Sequence, residues 1–264
     1  MVLILVDKRY FTALCKSNDI RRSMPPPHHD LLLATVAEHT LLALVATLVL
    51  RTATLALVHR LPLAARRQAA ASAADLAFHV WLCVRILCAP HVDLWPQTPG
   101  HYVPASAPAA VRLHVAVLGF YLAQTLLLAT DGASKRRAEF AAHHALTSGL
   151  VVLALLRGRT AAGLLVLLLH SIFDPVFQAA RLLHVAGQER AAHRVLGVAL
   201  YVFVATRLVS LPALVGVYAW HDVPCAVVLS ALIVLHVYWA RALAGVYRQF
   251  SRAKDEIQAE AEIC

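Results

Sequence analysis

The fifth apolar segment of the chain, residues 160–182, reads TAAGLLVLLLHSIFDPVFQAARL. Leu, Val and Ala dominate it, and its length predicts a helix that crosses a bilayer, which takes about 20 residues. The segment nevertheless carries His170 and Asp174, which are four positions apart and therefore on one helix face. Because ionisable groups are expensive at membrane depth, such residues usually face a cavity and often carry function. The segment thus predicts a membrane helix that contributes polar groups to an interior site.

Six further apolar segments set the class of the protein. They lie at about residues 31–58, 72–90, 110–130, 140–156, 194–217 and 224–247. The chain is 60% hydrophobic and 15% charged, whereas an ordinary soluble domain is about 45–50% apolar and about 25% charged. Continuous apolar runs, rather than period-two alternation, argue against an outer-membrane barrel. The sequence therefore predicts an all-α, polytopic membrane protein with about seven transmembrane helices.

The basic residues between the apolar segments predict the topology. If the N-terminus is lumenal, the cytosolic connections and the tail contain Arg60, Arg66, Arg67, Lys135, Arg136, Arg137, Arg181, Arg190, Arg194, Arg248, Arg252 and Lys254. The opposite connections contain only Arg157 and Arg159. This alternation follows the positive-inside rule, although the basic N-terminal arm argues the other way. We therefore expect a lumenal N-terminus and a cytosolic C-terminus.

This layout assigns the two terminal segments of the chain and explains its net positive charge. We expect an extramembrane basic arm at residues 1–30, a first transmembrane helix at 31–60 and a cytosolic tail at 251–264. The net charge of +9 is then a topology signal rather than a mark of nucleic-acid binding. No basic stripe interleaved with aromatic residues is present, and such a stripe is what nucleic acid would need.

The fourth apolar segment adds two adjacent histidines, His143 and His144, within EFAAHHALT at residues 139–147. His143 follows Arg136 by seven residues, which places it roughly 10 Å from the predicted cytosolic face. Asp174 precedes Arg181 by seven residues, which gives it a similar depth. We expect these groups to meet at one cavity open to the cytosol.

Two further polar residues belong to the same predicted site. His170 lies one helical turn deeper than Asp174, and Thr147 lies one turn from His143. Histidine can act as general base, general acid or acyl acceptor, and a carboxylate can fix its tautomer. A metal site is the main alternative, but adjacent histidines point about 100° apart on a helix, so we expect no metal. His39, His79, His114 and His221 are expected to be packing or interhelical hydrogen-bond residues.

The motif from Glu139 to Thr147 resembles the acidic-Phe-x-x-His-His-x-x-Thr stretch of TLC-domain membrane proteins, and of ceramide synthases in particular. The residues from His170 to Asp174 are similar to that family's His-Asp-x-x-Asp element. Weaker matches follow in the family's order, at Leu94-Trp95-Pro96, Phe203, Arg207-Leu208, Pro212 and Leu235-His236-Val237-Tyr238-Trp239. The resemblance covers about residues 75–250 and implies a six-helix TLC-like domain, at 72–250, around an intramembrane cavity.

The resemblance implies N-acylation of a sphingoid long-chain base by a fatty acyl-CoA, giving (dihydro)ceramide in the endoplasmic reticulum membrane. It implies catalytic roles for His143, His144 and Asp174. The implied substrate-binding residues are His170, Ser171, Thr147, Arg136, Arg137, Arg181, Arg207, Tyr238 and Trp239. No cofactor is expected beyond acyl-CoA as co-substrate, and the other partners are the sphingoid base and membrane lipids. Whether the protein forms a homo- or hetero-dimer stays open.

One departure keeps a second class of function open. The first acid of the family's His-Asp-x-x-Asp element is Ser171 here, and a hydroxyl cannot balance an imidazolium. The alternative is a non-catalytic TLC-domain protein that binds lipid or regulates membrane lipid composition. A transporter is disfavoured because pairs of Gly- or Pro-broken helices are not evident. A seven-helix receptor is disfavoured because its Asp-Arg-Tyr and Asn-Pro-x-x-Tyr signatures are not found.

Overall fold

Helices account for nearly all of the computed structural model, which describes residues 28–88, 108–130, 137–218 and 222–263. No strand occurs within these ranges. The helices, in chain order, are α1 (His28–Leu57), α2 (Leu63–Leu87), α3 (Pro108–Thr130), α4 (Arg137–Leu156), α5 (Thr160–Ser171), α6 (Phe173–Val185), α7 (Glu189–Phe203), a π-helical segment (Val204–Ser210), α8 (Leu211–Tyr218) and α9 (Val223–Ile263). The basic arm predicted at residues 1–30 falls almost entirely outside the described residues.

Seven stretches of these helices are long and apolar enough to cross a membrane. They are Ala34–Leu57, Leu63–Leu87, Ala109–Ala129, Arg137–Leu156, Thr160–Val185, Glu189–Gly216 and Val223–Arg252. The fifth span joins α5 to α6, and the sixth joins α7, the π-helical segment and α8. The prediction of an all-α protein with seven transmembrane helices is confirmed.

Two spans begin earlier than the apolar pattern predicts. The second begins at Leu63 rather than at residue 72, and the sixth begins at Glu189 rather than at residue 194. Both extensions are rich in Ala and Arg, which are strong helix formers. The charged residues lower the local hydropathy, so the apolar pattern ends before the helix does. The helix can continue because long basic side chains extend from its end toward water.

The fifth span is interrupted at Ile172, which separates α5 from α6. Pro175 gives the reason, because it has no N–H to donate to the carbonyl of Ser171 one turn earlier. A side chain from another span bonds the backbone one residue earlier, since Arg207 Nη2 donates to the carbonyl oxygen of His170. Neighbouring helices commonly donate to backbone groups at such irregular points within a membrane. The interruption lies directly beside the polar residues of the predicted site.

The sixth span contains a π-helical segment that carries Arg207. Pro212 follows the segment and removes the N–H that would have bonded the carbonyl of Leu208. Ser210 Oγ donates to the carbonyl oxygen of Ala205 at 2.9 Å. π-Helical turns insert one extra residue into a helix and often occur at functional sites. Here the turn points a guanidinium into the bundle, where the Arg207 side chain is almost fully buried.

Three groups of buried apolar side chains hold the spans together. The first joins α2, α3, α4 and α5 and includes Phe120. The second joins α6, α7 and α9 and includes Phe203, and the third joins α5, α8 and α9 and includes Leu211. Lipid tails are as apolar as leucine, so these contacts stabilise the bundle through van der Waals packing rather than removal from water.

Helix α1 packs closely against α3 at one glycine. A side chain at Gly119 would place its Cβ 2.7 Å from the carbonyl carbon of His39 and 2.8 Å from the nitrogen of Thr40. Only a residue without a side chain permits this approach of two backbones, as at many membrane helix contacts. This contact brings α1 against the bundle, and α1 contributes Arg51 to the cavity described below.

Candidate active site

A cavity of about 180 Å³ lies between the helices, toward the end of the bundle where α3 ends and α4 begins. We call it the polar cavity because imidazoles, carboxylates, guanidiniums and carboxamides from six segments line it. Its lining residues are Arg51, Asp75, His79, Phe120, Tyr121, Gln124, Leu127, Leu128, Phe140, His143, His144, Asp174, Gln178, Arg207 and Trp239. Three predicted catalytic residues, His143, His144 and Asp174, are therefore at one cavity, as their spacing predicted.

The two adjacent histidines have different surroundings. His143 is 7% exposed, and its Nε2 lies 3.4 Å from Nε2 of His170. His144 is half-buried, with its Nδ1 3.3 Å from the Thr125 hydroxyl. The ring of Trp239 lies 4.9 Å from that of His143, measured between centroids. Helix geometry explains the difference, because consecutive residues point about 100° apart.

Asp174 forms a guanidinium–carboxylate ion pair with Arg207. Its Oδ2 accepts a hydrogen bond from Arg207 Nη2 at 2.7 Å, and His79 Nδ1 lies 3.8 Å from the same oxygen. The guanidinium carbon of Arg207 lies 4.7 Å from the ring centroid of Phe173 and 5.2 Å from that of Phe203. This is a partly desolvated pair reinforced by cation–π contacts, so its geometry is strongly defined.

The nearest imidazole to Asp174 is not one of the predicted pair. We expected this carboxylate to orient or balance His143 or His144, but no hydrogen bond joins it to either within the described ranges. His79, expected to be a packing or interhelical residue, lies in the cavity wall instead and approaches Asp174. The Asp174 carboxylate thus faces Arg207 and His79. His143 instead lies against His170, and His144 lies against Thr125.

A second carboxylate, Asp75 of α2, faces the same cavity. Gln124 Nε2 donates to its Oδ1 at 3.1 Å, and Gln178 Nε2 donates to its Oδ2 at 3.4 Å. Arg181 Nη1 donates to Gln178 Oε1 at 3.2 Å, which orients that carboxamide with its N–H groups toward Asp75. Asp75, Gln124 and Gln178 were not predicted from the sequence, although Asp75 and His79 are four positions apart in an apolar segment, as are Asp174 and Gln178. That spacing of polar residues within a membrane helix was the available signal.

The other predicted site residues lie behind the cavity or away from it. His170, Ser171 and Thr147 are almost fully buried but do not line it, and no described group bonds the Oγ of Ser171 or the Oγ1 of Thr147. Arg137 and Arg181 also stand outside the lining, and Arg136 lies outside the described residues. The family resemblance implies substrate binding by these arginines, and that role stays a prediction.

Of the two aromatic residues predicted to bind substrate, Trp239 lines the cavity and Tyr238 does not. The Trp239 ring lines the cavity, and its Nε1 donates to Glu139 Oε2 at 3.4 Å. Tyr238 is half-exposed, does not line the cavity, and donates its hydroxyl hydrogen to Glu139 Oε1 at 3.0 Å. Glu139 therefore ties α4 to α9 and supports the position of Trp239 beside His143.

Three buried imidazoles have the spacing of metal ligands. One nitrogen from each of His143, His170 and His236 lies within 4.8 Å of the others. The 3.4 Å between the first two matches the ligand separation of about 3.4 Å expected around a tetrahedral zinc ion. However, Nδ1 of each ring lacks a partner among the described residues, whereas metal-bound histidines usually donate that second N–H. The three imidazole nitrogens are close enough to bind one ion, but no described residue accepts a hydrogen bond from Nδ1 of these rings. The expectation of a metal-free site stays a prediction.

A family model for the TLC domain matches residues 69–244. The chain belongs to the TLC domain family. The match begins within α2 and ends within α9, so α1 lies outside this TLC domain. The cavity residues named above all lie within it except Arg51. The family resemblance stated from the motifs is thereby confirmed.

Within the TLC domain family, the chain is similar in sequence to one curated ceramide synthase. The chain is 26% identical to "Ceramide synthase hyl-2" of Caenorhabditis elegans over 188 residues, which is 63% of this chain. The chain spans about half the length of that relative, 54%. The protein is therefore a multi-span TLC-domain protein similar to a ceramide synthase.

Proposed function

We propose that the protein is an N-acyltransferase that joins a fatty acyl-CoA to a sphingoid long-chain base to form (dihydro)ceramide. The observation that carries the proposal is His143, a buried imidazole at a polar cavity with a second imidazole, His144, beside it. The likeness to a ceramide synthase supports the choice of substrates. It also supports placing this step of sphingolipid biosynthesis in the endoplasmic reticulum membrane.

The reaction needs a base close to the amine. A protonated amine has no lone pair, so it must lose a proton before its nitrogen attacks the thioester carbonyl of acyl-CoA. When His143 donates its Nε2–H to His170, its Nδ1 carries a free lone pair that can take that proton. The amide C–N bond then forms and the C–S bond breaks, and the nitrogen loses its second proton to His144. One imidazolium protonates the CoA thiolate, and the other releases its proton to water.

His144 and the ion pair have separate roles in this proposal. His144 supplies a second base or a transient acyl acceptor, since its ring also lines the cavity. Arg207 and Asp174 position the surrounding backbone, because the guanidinium bonds both the carboxylate and the His170 carbonyl. The His170 ring is thereby held against His143. Arg207 is a positioning residue here, whereas the histidines contact the substrate.

Purified protein in lipid nanodiscs tests the proposal with labelled acyl-CoA and sphinganine. The wild-type protein should form the labelled amide, and His143→Ala and His144→Ala should each lower turnover by about 100-fold or more. Asp174→Asn should also lose turnover, because it removes the charge that fixes Arg207. The matched control is His193→Ala, a half-buried histidine outside the cavity, which should leave turnover unchanged. Absence of amide from wild-type protein, across acyl-chain lengths and lipid compositions, contradicts the proposal.

Ser171 favours a second candidate function, a TLC-domain protein that binds lipid or regulates membrane lipid composition without catalysis. A hydroxyl occupies the place of an acid in the resembling motif, and its side chain is fully buried away from the cavity lining. Under this alternative, long-chain bases or ceramide bind without turnover. Cells carrying the double variant His143→Ala/His144→Ala would also keep the lipid profile of wild-type cells. Loss of that profile in the double variant argues for the acyltransferase.

A further inference from the structure

The two carboxylates of the polar cavity are in different electrostatic states. Asp174 is paired with the Arg207 guanidinium at 2.7 Å. Asp75 has no ion pair within the described ranges, and its two oxygens instead accept one hydrogen bond each from the carboxamides of Gln124 and Gln178. Arg181 donates to Gln178 rather than to Asp75, and Arg51 lines the same cavity. The cavity thus contains one carboxylate paired with a guanidinium and one carboxyl group bonded by two carboxamides.

The carboxamides fix Asp75 without neutralising it. An ionised carboxylate offers about four acceptor sites, and the two amide N–H groups occupy two of them. Ionising a buried carboxyl group whose hydrogen-bond partners are neutral is costly, and a cationic ligand that donates hydrogen bonds would offset that cost. His143 provides a second open group at the same cavity, since its buried Nδ1 has no partner among the described residues.

An apolar groove adjoins the polar cavity. It has a volume of about 570 Å³, and side chains of α1, α2 and α3 line it. Phe120 lines both spaces, and its ring stacks on that of Phe78, which lines the groove. One aromatic pair therefore separates a polar site, where two carboxamides bond Asp75, from a space suited to hydrocarbon. This combination matches an amphiphile with a cationic head and a long alkyl chain.

We propose that Asp75 receives the ammonium group of a long-chain primary amine, with its alkyl chain directed past Phe120 into the apolar groove. The assignment rests on the proposed function, in which that amine is the acyl acceptor. Asp75 holds the ammonium at the cavity, and one N–H proton then transfers to an imidazole, which leaves a neutral amine and an imidazolium. Asp75 binds the amine in this scheme, and His143 takes its proton.

Equilibrium binding to purified wild-type protein, without acyl-CoA, tests the site directly. Labelled octadecylamine should bind and should be displaced by unlabelled octadecylamine or sphinganine at concentrations at least about tenfold lower than by octadecanol. The alcohol has the same chain but no positive charge, so the difference isolates the head group. Equal displacement by amine and alcohol overturns the proposal, and this comparison needs no variant.

A pair of isosteric variants locates the head-group site. Asp75→Asn should weaken octadecylamine binding by about tenfold or more while leaving octadecanol binding unchanged. The matched control is Asp222→Asn, a buried aspartate outside the cavity whose Oδ1 accepts a hydrogen bond from the backbone N–H of Cys225. Asn retains that acceptor, so amine binding should not change. A well-folded Asp75→Asn protein that binds the amine with wild-type affinity overturns the proposal.

Turnover separates failure of this site from failure of the proposed function. If the wild-type protein makes no amide yet binds the amine through Asp75, the acyltransferase proposal fails and the ammonium site stands. If amide forms, Asp75→Asn should raise KM for the long-chain base by about tenfold without changing KM for acyl-CoA. An active variant with an unchanged KM for the base would refute the site alone.

Discussion

At the scale of single residues, Arg207 connects more of the candidate site than any residue predicted to be catalytic. Its guanidinium bonds the Asp174 carboxylate and the His170 carbonyl, and it lies against Phe173 and Phe203. These contacts join the fifth span, where the helix is interrupted, to the π-helical segment of the sixth. Removal of either charge leaves its partner uncompensated in surroundings of low polarity.

The Arg207–Asp174 pair predicts a strong energetic coupling. Arg207→Ala should lower the free energy of unfolding by about 3–5 kcal/mol, because it leaves a partly buried carboxylate unpaired. The double variant Arg207→Ala/Asp174→Asn should be less destabilised than the sum of the two single variants. Denaturant titration in detergent micelles measures all three. Additive losses would show that the two side chains act independently.

Ser171 gives a second prediction at this scale. Its Oγ is buried and has no hydrogen-bond partner within the described chain, so Ser171→Ala should change stability by less than about 0.5 kcal/mol. Turnover, if present, should stay within about twofold of wild type. Ser210→Ala is the matched control, because its Oγ donates to the Ala205 carbonyl. That variant should lose about 0.5–1.5 kcal/mol. A large loss of turnover in Ser171→Ala alone would place the hydroxyl in the chemistry.

At the scale of helices, two proline-linked irregularities shape the site. Pro175 interrupts the fifth span next to Asp174, and Pro212 follows the π-helical segment that carries Arg207. Regular helices in both places would rotate these side chains relative to each other, since each residue turns a helix by about 100°. The ion pair therefore depends on departures from α-helical geometry in both spans.

The contact of α1 with α3 predicts the effect of adding one methyl group. Gly119→Ala should destabilise the protein by about 1–3 kcal/mol, because its Cβ would meet the backbone of His39 and Thr40. Gly149→Ala is the control, since a Cβ there meets nothing within 4 Å. That change should be neutral or stabilising by up to about 1 kcal/mol. Thermal unfolding in detergent compares them, and equal stabilities would show that α1 adjusts without cost.

At the scale of the whole molecule, the seven spans found within the described residues predict that the segments before residue 28 and after residue 252 lie on opposite sides of the membrane. The charge distribution favours a lumenal N-terminus. Glycosylation acceptor sites inserted before residue 28 or within 91–107 should then be modified in microsomes. Sites inserted after residue 252 should stay unmodified. Modification only after residue 252 would reverse the predicted orientation.

The candidate site was predicted from the sequence only where an ionisable residue interrupts an apolar segment. His143, His144 and Asp174 are ionisable groups in apolar segments, and charge positions gave their depth, so their meeting at one cavity was predictable. The partners of Asp174 were not. Arg207 and His79 lie on other spans, and helix periodicity does not show which faces of two helices meet.

The sequence by itself determined the membrane class, the seven spans and the family, because hydrocarbon surroundings require long apolar helices and because the motifs are local in sequence. Tertiary structure alone decided how charge is distributed inside the bundle. It paired Asp174 with Arg207, surrounded Asp75 with carboxamides, and buried Ser171 away from the cavity. These outcomes depend on helix rotation and on two irregular turns, which set contacts between residues far apart in the chain.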